Sequence, residues 1–238
     1  ACSTAFLEGK TVFYAYFEGA QDQLISKFQA HWTGLSINET RKKKNKEFVE
    51  SQCKAYLKRG EKVGGKLIIQ KFDTINTYWS NVEQTMFYVE KVLGHKIDLI
   101  VIDYLECIKS EEHYGEKQYL SGPEVLRKIE NAIDAEHFNC GAWILIQGKK
   151  DTYGHKDLDP TMLGGSVDLL KIAHVLITVG KDHSQMVDGK GNINFWKNRL
   201  GDGRIKFEDV IFDNAKVRIL VEDFNIVSTF EKPKKERA

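Results

Sequence analysis

Long apolar runs separated by amphipathic stretches dominate the first two thirds of the chain. Most of these runs are continuous instead of alternating, as expected for strands that are buried on both faces of a mostly parallel sheet. Four runs are the clearest strand candidates: TVFYAYFE (11–18), KLIIQKF (66–72), DLIVIDYL (98–105) and GAWILIQ (141–147). The pattern predicts an α/β fold with a mostly parallel central sheet flanked by helices.

Helical periodicity fills the segments between these runs. In the segment 80–95, Val82, Met86 and Val89 recur at the three-to-four spacing of a buried helix face. The highly charged segment 38–60 is predicted to form one helix, with an inner face made by Phe48, Cys53, Tyr56 and Leu57. The predicted helices cover residues 21–35, 38–60, 80–95 and 122–139.

Four further strand-like runs follow one another closely in the last third of the chain, at 173–180, 193–199, 204–212 and 216–223. Turn sequences such as DGKGN separate them, and short connections of this kind join antiparallel neighbours. We therefore expect antiparallel strands added to the edge of the parallel sheet at its C-terminal end. Residues 1–225 are predicted to form one domain, and residues 226–238 a charged C-terminal tail.

Composition narrows the class of protein without indicating a partner. The 238 residues are 42% hydrophobic, and 35 basic side chains balance 34 acidic ones, so any nucleic-acid site must be a local patch. No apolar run approaches the roughly 20 residues that span a bilayer. Four scattered cysteines without CxxC spacing favour reduced thiols in the cytoplasm, and the seven dispersed histidines indicate no metal site built from protein ligands.

Three of the predicted parallel strands end in a polar side chain: Glu18, Asp103 and Gln147. Ligands of open α/β sheets bind at the carboxyl ends of the strands, where Asp103 is suited to a hydrated Mg²⁺ on a phosphate chain, the Walker B pattern. Glu18 is suited to accept a proton from an attacking water, and the Gln147 amide to detect a terminal phosphate. Each residue alone is equally consistent with a turn or a helix start. Their joint occurrence is the stronger signal.

Lys197 and Arg199 form a second candidate feature in the run INFWKNRLGDG. Residues two apart on a strand point to the same side, so two cations project together. Either this face is solvated, or a strongly anionic group lies opposite it.

The order of these motifs resembles the RecA-like motor domain of DnaB-type replicative helicases, especially their phage members. The resemblance extends over about residues 1 to 220. IDYL (102–105) is similar to the family's Walker B segment, and KNRLG (197–201) to its Lys-x-Arg-x-Gly segment, which is the most specific signal.

The resemblance implies roles for these residues with ATP and Mg²⁺ as cofactors. Glu18 would be the catalytic carboxylate, Asp103 the acid that holds Mg²⁺ through water, with Tyr104 beside it at the nucleotide, and Gln147 the phosphate sensor. In such helicases the nucleotide lies between subunits of a hexameric ring. Lys197 and the arginine finger Arg199 would therefore reach the γ-phosphate held by the neighbouring subunit.

The family also implies that the ring encloses single-stranded DNA and works with a primase or a helicase loader. Of the two loops expected to face the channel, the one at 148–168 is the candidate for DNA contact. Gly164, Gly165 and Ser166 are the expected contacts, together with Lys149 and Lys150. For the loop at 109–122, and for the lysine run 41–46, ordinary solvated surface is the better interpretation.

A P-loop, GxxxxGK[ST], is absent from the 238 residues. Because the helix-like segment at the start has the position of the helix that follows a P-loop, we expect the motif to lie upstream of Ala1. Two alternatives remain open on the sequence. One is a recombinase-like ATPase that forms filaments, and the other is a non-hydrolysing scaffold or loader module.

Overall fold

The computed structural model describes residues 1–111, 121–134, 137–162, 171–201, 205–220 and 226–229. The chain divides into two compact units. The first unit comprises residues 1–147 and 215–217, and the second comprises residues 148–214 and 218–238.

The first unit is an α/β unit of four strands and six helices within its described residues. Its elements in chain order are α1 (Cys2–Leu7), β1 (Thr11–Tyr16), α2 (Gln21–Thr33), α3 (Ile37–Thr40), α4 (Lys46–Lys62), β2 (Lys66–Lys71), α5 (Trp79–Lys91), β3 (Leu99–Asp103), α6 (Ser121–Ile133) and β4 (Gly141–Ile144). Short 3₁₀ turns follow α3 at Lys43–Asn45 and β3 at Leu105–Cys107.

The four strands form a parallel sheet in the order β2-β1-β3-β4. The central strands β1 and β3 are the most apolar, and Val12, Phe13, Ile100 and Ile102 have no exposed surface. Burying them from both sides drives the assembly of the sheet with its helices. The predicted parallel sheet is confirmed.

The prediction for α5 is confirmed, because Val82, Met86 and Val89 are all buried. The prediction that Phe48 and Leu57 face inward is wrong, since 46% and 36% of their surfaces are exposed. The segment is not one helix: Ser36 and Glu39 form a capping box that starts α3, and α4 begins only at Lys46.

The inner face of α4 differs in part from the predicted one. Its inner positions are Val49, Cys53, Tyr56 and Gly60, at spacings of four, three and four residues, and Val49 and Gly60 are buried. At Gly60 the ring of Phe6 lies so close that an added Cβ would be 2.1 Å from it. This helix therefore packs against α1 through a glycine.

The second unit contains an antiparallel sheet. Its described elements are β5 (Val175–Gly180), α7 (His183–Asp188), β6 (Lys190–Asn198), β7 (Ile205–Asp213), β8 (Arg218–Leu220) and β9 (Ile226–Thr229), with 3₁₀ turns at Lys150–Thr152 and Pro160–Met162. The order is β5-β6-β7-β8, and β9 also pairs with β7.

The antiparallel strands were expected at the edge of the parallel sheet. In the described residues they form a sheet of their own, because the short connections pair each strand with its neighbour in sequence. Strand β9 falls within the segment assigned to the charged tail, and residues 230–238 lie outside the described part of the chain.

Asp157 connects the segment 149–162 to strands β6 and β7 through hydrogen bonds and an ion pair. Its Oδ1 accepts hydrogen bonds from Asn192 at 3.0 Å and from Asn194 at 3.4 Å, and its Oδ2 pairs with Lys206 at 2.9 Å. Asn192 and Asn194 are almost completely buried, so their amide groups need these partners. The contacts hold the segment against the sheet of the second unit.

Across the described ranges, no helix combines the length and the apolar character that crossing a bilayer requires.

Candidate functional site

The polar ends of three parallel strands come together at one edge of the sheet in the first unit. The register aligns Tyr16 of β1 with Asp103 of β3, and the Leu145 amide donates to the Ile102 carbonyl at 3.0 Å. Glu18 and Gln147 follow the ends of β1 and β4. The structure therefore places Glu18, Asp103 and Gln147 along the same carboxyl edge.

The two oxygens of the Asp103 carboxylate have different surroundings. Oδ2 accepts a hydrogen bond of 2.7 Å from the Tyr14 hydroxyl. Oδ1 is buried and has no hydrogen-bond partner within the described part of the chain. Burial, this hydrogen bond and the charge of Asp103 raise the pKa of Tyr14, so its hydroxyl stays protonated and remains a donor.

An unpartnered, buried carboxylate oxygen fits the chemistry of a hydrated Mg²⁺. This ion usually keeps several waters and binds through one or two carboxylates together with substrate phosphates. Asp103 Oδ1 is the atom available to hold such a water. Within the described ranges, no cluster of three or more His, Cys, Asp or Glu side chains forms a metal site.

Tyr104 and Glu18 belong to the same edge. Burial raises the pKa of Tyr104, and the charges of Asp103 and Glu18 add to the rise, against the opposing effect of the neighbouring Gln147 side chain. Glu18 itself is exposed and so is accessible to a ligand at the edge.

Glu106 is a member of the site that the sequence analysis missed. Its Oε1 accepts a hydrogen bond of 2.9 Å from the backbone N–H of Gln147. Burial raises the pKa of Glu106, the backbone hydrogen bonds that it accepts oppose this, and the charge of Glu18 adds to the rise. Its position three residues after Asp103 was the available signal in the sequence, because a 3₁₀ turn over Leu105–Cys107 brings Glu106 back to the edge.

The first unit also contains a cavity of about 270 Å³ that is lined in part by Tyr14, the partner of Asp103. The first residues of α1, Tyr14 and the α2 side chains Lys27, Phe28 and His31 line it. Cys2 also lies near the site: burial raises the pKa of its thiol, and the charge of Asp103 contributes to the rise.

Lys197 and Arg199 lie in the second unit, on the same side of the chain as their spacing predicts. Lys197 Nζ and an Arg199 guanidinium nitrogen both donate to the backbone carbonyl of Lys171, at 3.2 and 2.8 Å. The Arg199 N–H donates to the His174 carbonyl at 2.9 Å, and the residue as a whole is exposed. Two cations thus converge on one carbonyl oxygen.

The predicted DNA-contact residues are only partly described. Lys149 and Lys150 are exposed, and Lys149 Nζ lies 3.5 Å from the Thr161 carbonyl oxygen. Gly164, Gly165 and Ser166 lie outside the described residues.

Comparison with solved structures identifies the class of fold. A solved ATPase domain superposes with a TM-score of 0.65 at 15% identity, over 92% of this chain and 77% of that one. This chain therefore has the fold of an ATPase domain of the RecA-like class.

A second similar structure is that of a DnaB-like replicative helicase, studied for its interactions with primase, with a TM-score of 0.62 at 14% identity over 89% of this chain. The match spans 50% of that helicase chain. The fold is that of DnaB-type helicase ATPase domains. No protein-family model matches the sequence, and a search of curated protein sequences finds no match.

Proposed function

We propose that the chain is the motor domain of an ATP-driven replicative DNA helicase that moves along single-stranded DNA as a ring. The observation that carries this proposal is the buried, unpartnered Oδ1 of Asp103 at the edge shared with Glu18 and Gln147. The fold of DnaB-type ATPase domains supports it. The motor domain would cover residues 1–225 and act in the cytoplasm.

At this edge the chain would bind ATP with Mg²⁺, and the ion would neutralise charge on the phosphate oxygens. Asp103 Oδ1 would hold a water of the ion, while Tyr14 keeps the carboxylate oriented through Oδ2. The exposed Glu18 carboxylate would accept a proton from the water that attacks the γ-phosphate. Tyr104 would line the nucleotide, and the Gln147 amide would hydrogen bond to the terminal phosphate.

Lys197 and Arg199 would act on the nucleotide of a neighbouring copy in the ring. Both now donate to one backbone carbonyl, and a phosphate oxygen is a stronger acceptor for the same two cations. An arginine finger supplied in this way is worth roughly 10³ to 10⁵ in rate. Lys149, Lys150, Gly164, Gly165 and Ser166 would contact the DNA backbone, and a primase or a helicase loader would be a further partner.

Mixing two inactive variants of the full-length protein tests the central claim. Glu18→Gln and Arg199→Ala should each lower DNA-stimulated ATPase by at least about 10³. In an equimolar mixture of a cyclic assembly, about a quarter of the interfaces combine an intact Glu18 with an intact Arg199 from the other copy. ATPase activity should therefore reappear on mixing.

Lys190→Ala is the matched control, because it removes a cation from the opposite end of the same strand. It should leave turnover unchanged. If the mixed copies co-assemble, as native mass spectrometry can show, and ATPase does not reappear, Arg199 does not act across an interface and the proposal fails.

A second candidate is a non-hydrolysing module that binds nucleotide or partners only. Nucleotide binding by the full-length protein without ATPase activity, with or without single-stranded DNA, would support this candidate over the motor.

A further inference from the structure

We propose that Glu106 is a positioning residue that holds the backbone of Gln147, and so sets how the site responds to a terminal phosphate. This inference rests on the proposed function, because it assigns a support to the residue proposed to hydrogen bond to that phosphate. The contact between the two residues can nevertheless be measured without any catalytic assay.

Gln147 lies beyond the end of β4. The β3–β4 register ends at the pair Ile102–Ile144, and further backbone hydrogen bonds link Leu145 with Ile102 and Leu105, each at 3.0 Å. Gln147 comes two residues later. Its N–H donates to the carboxylate of Glu106 at 2.9 Å.

Glu106 belongs to the short 3₁₀ turn Leu105–Cys107, which follows β3 after Tyr104. Its hydrogen bond therefore attaches the backbone of Gln147 to the segment that leaves β3. In the proposed function, this contact would couple the position of Gln147 to that of Asp103.

The contact tolerates a change in the protonation of Glu106. Burial and the neighbouring charge of Glu18 favour the neutral carboxyl group, whereas the hydrogen bond from Gln147 favours the charged one. A carboxyl oxygen accepts the N–H in either form. A glutamine at position 106 keeps such an acceptor, and an alanine does not, so this pair of variants separates the hydrogen bond from the charge.

Amide hydrogen exchange of Gln147 in the full-length protein tests the contact. Glu106→Ala removes the acceptor, and exchange at Gln147 should become faster by about tenfold or more. Glu106→Gln should stay close to the wild type. If Gln147 exchanges equally fast in the wild type and in Glu106→Ala, Glu106 does not hold it and the inference is overturned.

Glu90 provides a matched control. Its Oε1 accepts the N–H of Ile97 at 2.9 Å, the same kind of contact, just before the N-terminal end of β3. Glu90→Ala should speed exchange at Ile97 and leave Gln147 unchanged. A faster Gln147 in this variant would mean that general loosening explains the result, which would contradict a specific role for Glu106.

Steady-state ATPase kinetics with single-stranded DNA test the consequence. Glu106→Ala should lower kcat by about tenfold with little change in KM, because the misplaced group acts on the reacting phosphate more than on binding. Glu106→Gln should restore most of kcat, and Glu90→Ala should retain it. An unchanged kcat in Glu106→Ala refutes the functional link. If the wild type itself has no ATPase activity, the proposed function fails, and the exchange data still decide whether Glu106 holds Gln147.

Discussion

At the scale of single residues, the hydrogen bond from Tyr14 gives the two oxygens of the Asp103 carboxylate different surroundings. The hydroxyl occupies Oδ2, so only Oδ1 remains for a ligand. A hydrogen bond to a charged acceptor is stronger than one between neutral groups, and it also fixes the orientation of the acceptor. Tyr14 therefore contributes both to stability and to the geometry of the proposed Mg²⁺ position.

Tyr14→Phe should lower the free energy of unfolding by about 1–3 kcal/mol, because Asp103 Oδ2 loses its partner in a partly buried place. Urea unfolding at pH 7 measures this effect.

Tyr56→Phe is the control for this change, since the Tyr56 hydroxyl donates to the neutral Ser3 carbonyl at 3.2 Å. Its loss should cost less than the loss of the Tyr14 hydroxyl. Equal effects of the two substitutions would show that the charge of Asp103 adds nothing to the Tyr14 bond.

At the scale of elements, Asp157 connects an otherwise irregular segment to a sheet. Burial disfavours its charged form, but hydrogen bonds from Lys206 and Asn192 and the charge of Lys206 outweigh burial and lower the pKa of Asp157. Hydrogen bonds that Lys206 donates to Glu208 and Asp157 likewise outweigh desolvation and raise the pKa of Lys206. Both shifts describe a net favourable ion pair that anchors the segment 149–162.

Asp157→Asn should therefore destabilise the protein in a pH-dependent manner. The folded-state pKa of Asp157 lies below its unfolded value near 3.9, so its contribution is complete above that pH and is lost as the pH falls through the folded value. We expect a difference from wild type of about 1–2 kcal/mol at pH 7, reduced by solvent screening, that begins to close below about pH 4.

Urea unfolding at several pH values measures this difference. Asp159→Asn is the control, because the Asp159 carboxylate accepts hydrogen bonds only from Thr161 among the described contacts, within one turn. A constant difference between Asp157→Asn and wild type from pH 7 to pH 3.5 would contradict the ion-pair assignment.

At the scale of the whole molecule, the proposed catalytic groups are divided between the two compact units. The carboxyl edge with Glu18 and Asp103 belongs to the first unit, and the Lys197–Arg199 pair belongs to the second. The chain also returns from the second unit to the first, where the Ile37 N–H donates to the Ala215 carbonyl at 2.8 Å. In the proposed function, the two sets complete one site only when two copies meet.

ATPase activity per chain should consequently depend on protein concentration. Upon dilution below the assembly range, turnover per chain should fall in parallel with the assembled fraction, because isolated copies lack the cations of a neighbour. Turnover and sedimentation velocity measured at the same concentrations test this. Turnover per chain that stays constant while the assembly dissociates would indicate a site complete within one copy.

The sequence by itself determined the parallel sheet and the placement of Glu18, Asp103 and Gln147. Continuous apolar runs must be buried on both faces, and the carboxyl ends of parallel strands necessarily share an edge. It also determined the inner face of α5 and the common side of Lys197 and Arg199, because both follow from local periodicity.

Only the tertiary structure decided the rest. Phe48 is exposed because the inner face of α4 runs through Val49 and Gly60 instead, and the antiparallel strands form a sheet of their own. The hydrogen bond between Tyr14 and Asp103 joins residues that are 89 positions apart in the sequence, and the one between Glu106 and Gln147 joins residues 41 positions apart. Such contacts depend on strand register and turn geometry, which the packing of the whole unit sets and which local sequence patterns do not encode.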